Sequence, residues 1–369
     1  MPLSRRSLLA TAAAAAPLFL IAPNAIAQSP PSRPDLSTPE GWLDWISTHR
    51  EQLGLVVHDG RGHRLVHRPD NAEPLASAVK VVPLAAYSIA VTEGRLDPDE
   101  QIRVGDWERF YVPTDGFAHA NTLKYLGIPT DPTGLFAADP EHRVALDDMA
   151  SAMIMFSDSA APDYLRNRLG EAALRQAAAA GGWSRPDIRS MCAEYLFLAL
   201  PELAPPAQLP PAIRRAFGYA LERRFSNDVD LRKRMLDQLM QGGLPPYEQQ
   251  CEWGSETMSA TASQLAGLHH AIATDAFPAA VARSHLERPL SGHLPPGVLG
   301  VGLKGGSLPG ILTCGMSVRR QDGTVASGAL LAHGDITLEQ VGKGDPGLPL
   351  LLALEQPEWR DRLAQALTG

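Results

Sequence analysis

The sequence predicts an α+β fold in which strands from both ends of the chain form one antiparallel sheet. Two strand patterns, Leu53–His58 and Arg64–His67, lie near the start of the chain and are joined by a turn rich in glycine. Two more, Leu303–Arg319 and Val325–His333, lie near the end. The long region between them has helical patterns, so the sheet is expected to pack against a mostly helical subdomain.

Helices and two irregular stretches fill this central region. The segment Pro74–Val91 is an almost uncharged run of Ala, Val and Leu, and a helix that is apolar on all sides belongs in the centre of a large domain. The irregular stretches, Asp106–His142 and Gly181–Gly254, are interrupted by Pro and Gly. The other expected helices are Thr38–His49, Leu146–Met155, Pro162–Leu169, Asp230–Met240, Ser263–Ala273 and Pro357–Leu367.

The first 27 residues are expected to be an export signal rather than part of the fold. Arg5 and Arg6 form a basic head, an apolar run follows from Leu8 to Ala22, and Ala25–Ala27 has the small-x-small pattern of a cleavage site. The paired arginines indicate a twin-arginine signal, with a general secretory leader as the alternative. A periplasmic or secreted protein is therefore expected, with no stable membrane insertion after cleavage. A linker at 28–36 and one large domain at 37–369 follow, with insertions near 105–143 and 195–255.

Composition excludes several classes of partner. The net charge of −8 argues against binding to nucleic acid. The three cysteines, Cys192, Cys251 and Cys314, are widely separated, and the histidines have no metal-binding spacing. We expect no metal or other cofactor, a monomer, and a small-molecule or peptidoglycan-like substrate.

Ser77 and Lys80 are the strongest candidates for catalysis. Their spacing of three residues places both side chains on one face of a helix. A serine hydroxyl becomes a good nucleophile when a nearby base takes its proton, and burial lowers the pKa of a lysine so that it can be that base. The alternative is a chance pair on a helix, but a lysine in an apolar helix is costly unless it has a partner or a function.

Two further motifs are weaker when taken alone. Ser157–Ser159 has the sequence Ser-Asp-Ser between two predicted helices, and its alternative role is to cap the second helix. Lys304–Ser307 has the sequence Lys-Gly-Gly-Ser at a predicted strand, and its alternative is a strand beside a glycine turn. Gly342–Gly344 is a similar tripeptide without a strand, and we assign it no role.

Together the three motifs resemble the S-x-x-K, S-D-N and K-T-G signatures of class A β-lactamases and penicillin-binding serine enzymes, in the same order. The resemblance implies a β-lactamase-like fold and an acyl-enzyme on Ser77, with Lys80 as the base. It further implies that Ser157 relays a proton to the leaving group and that Lys304 holds a substrate carboxylate. Ser159, Gly306 and Ser307 would contact the substrate, and the backbone N–H groups of Ser77 and Ser307 would form the oxyanion hole.

Three departures from this pattern concern substrate binding and deacylation. Ser159 replaces an asparagine, and Gly305 stands where a hydroxyl residue is common. The glutamate that activates water for deacylation lacks its usual sequence context, and Glu194 is the nearest candidate. The sequence therefore predicts a serine hydrolase acting on β-lactams or related amides and esters. The alternatives are a penicillin-sensing or peptidoglycan-binding protein without efficient turnover, and a non-catalytic relative.

Overall fold

A five-stranded antiparallel sheet forms the centre of one half of the molecule. The computed structural model describes residues 33–206 and 209–369, so the predicted export signal at 1–27 lies outside the described residues. The strand order is β2-β1-β9-β8-β7, which joins strands from the two ends of the chain and confirms the expected α+β fold. The strands of this sheet are β1 Leu53–His58, β2 Arg64–His67, β7 Val298–Leu308, β8 Ile311–Arg320 and β9 Val325–His333.

The C-terminal part of the sheet has three strands where the sequence predicts two. The segment Leu303–Arg319, expected to be one strand, turns back at Pro309 and Gly310 to form the β7–β8 hairpin. Gly310 has a φ of 72°, a left-handed conformation that glycine adopts without strain. The Pro-Gly pair is a turn signal that the apolar pattern around it concealed. Short strands form two further pairs, β3 Ala72–Pro74 with β6 Ser259–Thr261 and β4 Gln101–Arg103 with β5 Arg143–Ala145.

The sheet separates two hydrophobic cores. Along β1, Val56 faces the larger core, whereas its neighbours Leu55 and Val57 face the smaller one, as the two-residue period of a strand requires. The helix Ala262–Ala273 packs on the first face, and the helix Gly347–Glu355 packs on the second. Helices therefore cover both faces, and the edge strand β7 is left beside the helical subdomain.

The central buried helix is present but begins later than the sequence predicts. Pro74 ends strand β3, Ala76–Lys80 forms a 3₁₀ turn, and the α-helix runs from Val81 to Thr92. Proline has no N–H to donate. A helix that begins at Val81 places Pro83 in the first turn, where the backbone N–H groups have no acceptor within the helix, so the missing N–H costs nothing. All residues from Val81 to Ala90 are buried, which confirms the expected central position.

The segment between 181 and 254 is more regular than the sequence predicts: it contains four helices, of which one, Val229–Gln241, confirms the expected helix Asp230–Met240. Its prolines lie at helix starts or between helices, where they are tolerated. The described helices are Pro39–Thr48, Val81–Thr92, Val104–Glu108, Ala118–Tyr125, Leu146–Met155, Ala161–Leu169, Glu171–Ala180, Met191–Ala199, Pro211–Phe225, Val229–Gln241, Tyr247–Ser255, Ala262–Ala273, Ala280–Glu287, Leu338–Lys343, Gly347–Glu355 and Pro357–Thr368.

The end of the predicted linker belongs to the domain. Leu36 is buried in the smaller core, and the carbonyl oxygens of Pro34 and Leu36 accept hydrogen bonds from Gln340 and Asp345. The packed domain therefore begins by Pro34, three residues before the expected start at 37. Within 33–206 and 209–369, no helix is both long enough and apolar enough to cross a membrane.

Candidate active site

Ser77 lies on a strained turn beneath the edge strand. The preceding residue, Ala76, has a φ of 48°, which is uncommon for a residue with a side chain. The turn is held from the sheet, because Thr313 Oγ1 donates a hydrogen bond to the Leu75 carbonyl oxygen over 2.7 Å. Local strain at a reacting residue persists only where the surroundings determine its conformation, as they do here.

Lys80 is buried directly behind Ser77. Its Nζ lies 2.8 Å from Ser77 Oγ, which confirms the proximity that the three-residue spacing predicts. Nζ also donates to the Ser157 carbonyl oxygen at 2.5 Å and to Ser157 Oγ at 3.1 Å. Burial lowers the pKa of Lys80 to about 8, although the carboxylates of Asp158 and Asp115 oppose the shift. A substantial fraction of this amine is therefore neutral near physiological pH and able to accept a proton.

The second motif caps a helix, as its alternative role predicts, and also places a hydroxyl beside two lysines. Ser157 has a φ of 64°, and its Oγ accepts hydrogen bonds from Lys80 and Lys304, each over 3.1 Å. With its two lone pairs occupied, this hydroxyl keeps its own proton to donate. The next residue, Asp158, caps the following helix by accepting from the N–H groups of Ala160 and Ala161. The same tripeptide therefore supplies a cap and a reactive hydroxyl.

The third motif brings the edge strand against the nucleophile turn. A side chain at Gly306 would place its Cβ 2.6 Å from the Leu75 carbonyl oxygen and 2.7 Å from the Ala78 nitrogen, so only glycine fits. Lys304 Nζ donates to Ser157 Oγ and, over 2.7 Å, to the Gly305 carbonyl oxygen. Burial, together with the charge of Lys80, lowers the pKa of Lys304 well below its usual range. Lys304 is thus a weaker cation for a substrate carboxylate than the resemblance implies.

A single cavity of about 480 Å³ joins the three motifs. Its lining includes Ser77, Ser157, Lys304, Gly306 and Ser307. Lys80 does not line the cavity, but it is hydrogen-bonded to Ser77 and Ser157, which do. The arrangement places the Ser77 hydroxyl, the Lys80 amine behind it and the Ser157 hydroxyl beside it around one space, a geometry that is chemically suited to acyl transfer.

Asp115 is a cavity residue that sequence reasoning missed. Its carboxylate accepts hydrogen bonds from Ser159 Oγ over 2.9 Å, from the His119 N–H over 3.2 Å and from the Tyr111 hydroxyl over 3.3 Å. Burial and the charge of Asp158 raise the pKa of Asp115 above its usual value. Asp115 precedes a glycine in a segment that resembled a surface loop, so no local signal identified it.

The position of Ser159 corrects its predicted contact with substrate. Its side chain is buried, lies outside the lining of the cavity and donates to Asp115. Ser159 therefore contacts Asp115, which lines the cavity, and does not line the cavity itself.

A buried histidine connects the segment 105–143 to the second motif. His119 Nδ1 lies 2.6 Å from Asp158 Oδ2, and its Nε2 lies 3.1 Å from Glu108 Oε1. Burial alone would lower the pKa of His119, but the two carboxylates raise it to about 10. The ring is therefore an imidazolium held between two acids, and this predicted insertion forms a wall behind the site.

Glu194, the residue predicted to activate water for deacylation, lies in an ion-pair cluster outside the lining of the cavity. It lies on the helix Met191–Ala199, and its carboxylate contacts Arg189 over 3.3 Å and Arg214 over 2.8 Å. The next residue, Tyr195, lines the cavity, but Glu194 does not. Successive helical residues point about 100° apart, so the carboxylate is directed into the ion-pair cluster. This geometry favours a structural role for Glu194.

Comparisons with known proteins identify the family and the fold. A family model described as the beta-lactamase enzyme family matches residues 43–276, which is more than half of the chain. A beta-lactamase from Sphaerobacter thermophilus is similar in structure with a TM-score of 0.52 at 16% identity, over 88% of this chain and 94% of that chain. A beta-lactamase from Chitinophaga pinensis gives a TM-score of 0.51 at 14% identity, over 86% and 98%. No curated protein matched the sequence.

These two structures support the fold, and the expected β-lactamase-like architecture is confirmed. The family match covers the first and second motifs, whereas the third motif lies beyond residue 276 and rests on its position in the structure. The chain belongs to the beta-lactamase enzyme family.

Proposed function

We propose that the protein is an exported serine hydrolase that forms an acyl-enzyme on Ser77, acting on β-lactams or on related amides and esters. The observation that carries this proposal is the 2.8 Å contact between Ser77 Oγ and Lys80 Nζ at the wall of a cavity. Export rests on the sequence of residues 1–27.

Acylation follows from the positions of three side chains. Neutral Lys80 takes the proton of Ser77 while Oγ attacks the substrate carbonyl carbon and the carbonyl oxygen becomes an oxyanion. The tetrahedral intermediate collapses as the bond to the leaving nitrogen or oxygen breaks. Ser157 donates its proton to that leaving atom, and protonated Lys80 at 3.1 Å returns a proton to Ser157. Ser77 then carries the acyl group as an ester.

We assign deacylation to Asp115 rather than Glu194. Water must attack the ester carbonyl while a base takes its proton, after which the bond to Ser77 Oγ breaks and the base returns that proton to Oγ, which restores the hydroxyl. Asp115 faces the cavity, and its three hydrogen bonds hold the carboxylate in one orientation. A pKa above the usual carboxylate value makes it a stronger base than an exposed acid.

The matched variants Asp115→Asn and Glu194→Gln test this assignment, since each replaces a carboxylate with an amide of the same shape. Asp115→Asn is expected to acylate and then to retain the adduct on Ser77, as mass spectrometry of the intact protein would show. Glu194→Gln is expected to release the adduct at a rate within a few fold of wild type. A stalled Glu194→Gln adduct with normal turnover by Asp115→Asn would reverse the assignment.

The alternative is a penicillin-binding protein that acylates without efficient turnover, and the engagement of Glu194 with two arginines favours it. Wild-type protein would then retain the penicillin adduct as long as Asp115→Asn does. Ser77→Ala tests both functions, because it should abolish labelling by a fluorescent penicillin or a fluorophosphonate while leaving the fold intact. A label recovered on another serine would refute the nucleophile.

A further inference from the structure

The cavity that contains Ser77 continues past Gly305 to the other face of the edge strand β7. The lining of this continuation, here called the apolar extension, is formed mainly by large apolar side chains from strands β7 and β8 and from the helix Gly347–Glu355. They include Leu303, Leu312, Met316, Leu348 and Leu351, and Leu290 is added by the 3₁₀ turn Arg288–Leu290. An apolar group of the substrate would lose its contact with water there, which favours binding.

The backbone at Gly305 leaves this passage open. A Cβ built at Gly305 would meet only the Thr313 carbonyl oxygen, at 3.6 Å, which is ordinary contact. Packing therefore does not require glycine at this position, in contrast to Gly306. Across the β7–β8 register, Gly305 is paired with Cys314, whose buried side chain lines the cavity. The strand pair thus presents no charged or hydroxyl side chain at this point.

The cations near the extension are already engaged. Lys304 donates to Ser157 and to its neighbouring carbonyl oxygen, and Lys343 Nζ lies 2.7 Å from Glu339 Oε1. Among the described residues that line the cavity there is no arginine. Asp345 also lines it and accepts from the Gly347 and Leu348 N–H groups, which adds an acid rather than a base. A substrate carboxylate there would have to compete with Glu339 for Lys343 or with Ser157 for Lys304.

The direction of the extension identifies the part of the substrate that enters it. Ser157, the proposed proton donor to the leaving group, lines the same cavity as Gly305, where the extension begins, and it accepts a hydrogen bond from Lys304 between them. The leaving alcohol or amine, which must lie within reach of Ser157, is therefore expected to be the part of the substrate nearer to the extension. The acyl group lies on the other side of the scissile bond.

We propose that the apolar extension binds the leaving-group portion of the substrate, and that the substrates are esters, amides or lactams whose leaving group carries an apolar substituent instead of a carboxylate. This rests on the proposed acyl transfer by Ser77. Each methylene that enters the extension should raise kcat/KM by about fourfold until the space is filled.

The first test uses the mature wild-type protein and compares the rates at which it cleaves two esters that share one acyl group but differ in their leaving groups. A hexyl ester and the corresponding ester of 6-hydroxyhexanoate differ by a terminal carboxylate, and alcohol release in the first turnover is measured by mass spectrometry. The hexyl ester is expected to react at least tenfold faster, and also faster than the methyl ester. Equal rates, or a preference for the carboxylate, would overturn the proposal while leaving acyl transfer intact. Absence of both alcohol release and a Ser77 adduct would overturn both proposals.

A second test changes the extension itself. Leu348→Phe, at a half-buried lining position, should lower the ratio of hexyl to methyl ester rates by several fold. Leu352→Phe is the matched control, because Leu352 is half-buried on the same helix but does not line the cavity. Its ratio should equal that of wild type. An unchanged ratio in Leu348→Phe would place the alkyl group elsewhere.

Discussion

The pH dependence of acylation provides the sharpest test of Lys80 as the base. With a pKa of about 8, about 9% of Lys80 is neutral at pH 7, against about 0.03% at the ordinary value of 10.5. Burial therefore increases the population of the reactive form about 300-fold. The acylation rate is expected to rise about tenfold per pH unit below pH 8 and to level off above it.

Stopped-flow measurement of the acylation burst with a chromogenic β-lactam, from pH 5.5 to 10, would show this profile. Lys80→Arg should lose acylation as completely as Lys80→Ala, because a guanidinium stays protonated over this whole range. Lys124→Arg, at an exposed position, is the control for the exchange itself. An apparent pKa near 10.4, or an arginine variant that acylates at nearly the wild-type rate, would show that Lys80 supplies only positive charge.

Two other outcomes follow from the structure, and a third follows from the sequence of the predicted export signal. Glu194→Gln should lower the free energy of unfolding by about 3 kcal/mol, measured by urea denaturation, since it breaks a buried ion-pair cluster; an unchanged midpoint would contradict this role. His119 keeps its proton in the folded state up to a pKa of about 10, whereas the unfolded chain loses it near 6.5, so the stability that it contributes should fall as pH rises between these values. The difference in unfolding free energy between wild type and His119→Gln should shrink over that range, and a constant difference would show that the ring is neutral. Replacing Arg5 and Arg6 with lysine should leave unprocessed precursor in the cytoplasm if the signal is of the twin-arginine type; normal export would indicate the general secretory route.

The sequence predicted the parts of the site whose geometry is local. Ser77 and Lys80 are three residues apart, so the turn that carries them decides their contact. Ser157 could be placed because the helices on both sides of it have clear patterns. Glu194 could not be judged, because the arginines that hold it come from other segments, at 189 and 214.

Asp115 required the tertiary structure for a different reason. Its segment has no periodic apolar pattern, and a polar loop with Gly and Pro is typical of a surface insertion. The ion-pair cluster around His119 brings Asp115 to the cavity. The two acids of this cluster, Glu108 and Asp158, lie 11 and 39 residues from His119 in the chain. Pairs of buried charges from different segments have no regular spacing in the sequence, so a single sequence does not reveal them.

The strained residues at the site explain why this distant segment matters for catalysis. Ala76 and Ser157 both have left-handed backbones, at φ values of 48° and 64°, and each conformation costs of order 1–3 kcal/mol unless neighbours enforce it. Asp158 enforces the left-handed conformation of Ser157, because it is hydrogen-bonded to the next helix and to His119 at the same time. Loss of the imidazolium would leave Asp158 Oδ2 without its partner, although Oδ1 would still accept from Trp107 and from the helix, and this would weaken the support of the Ser157 hydroxyl that both lysines contact. The segment 105–143 is therefore part of the machinery that positions the proton donor.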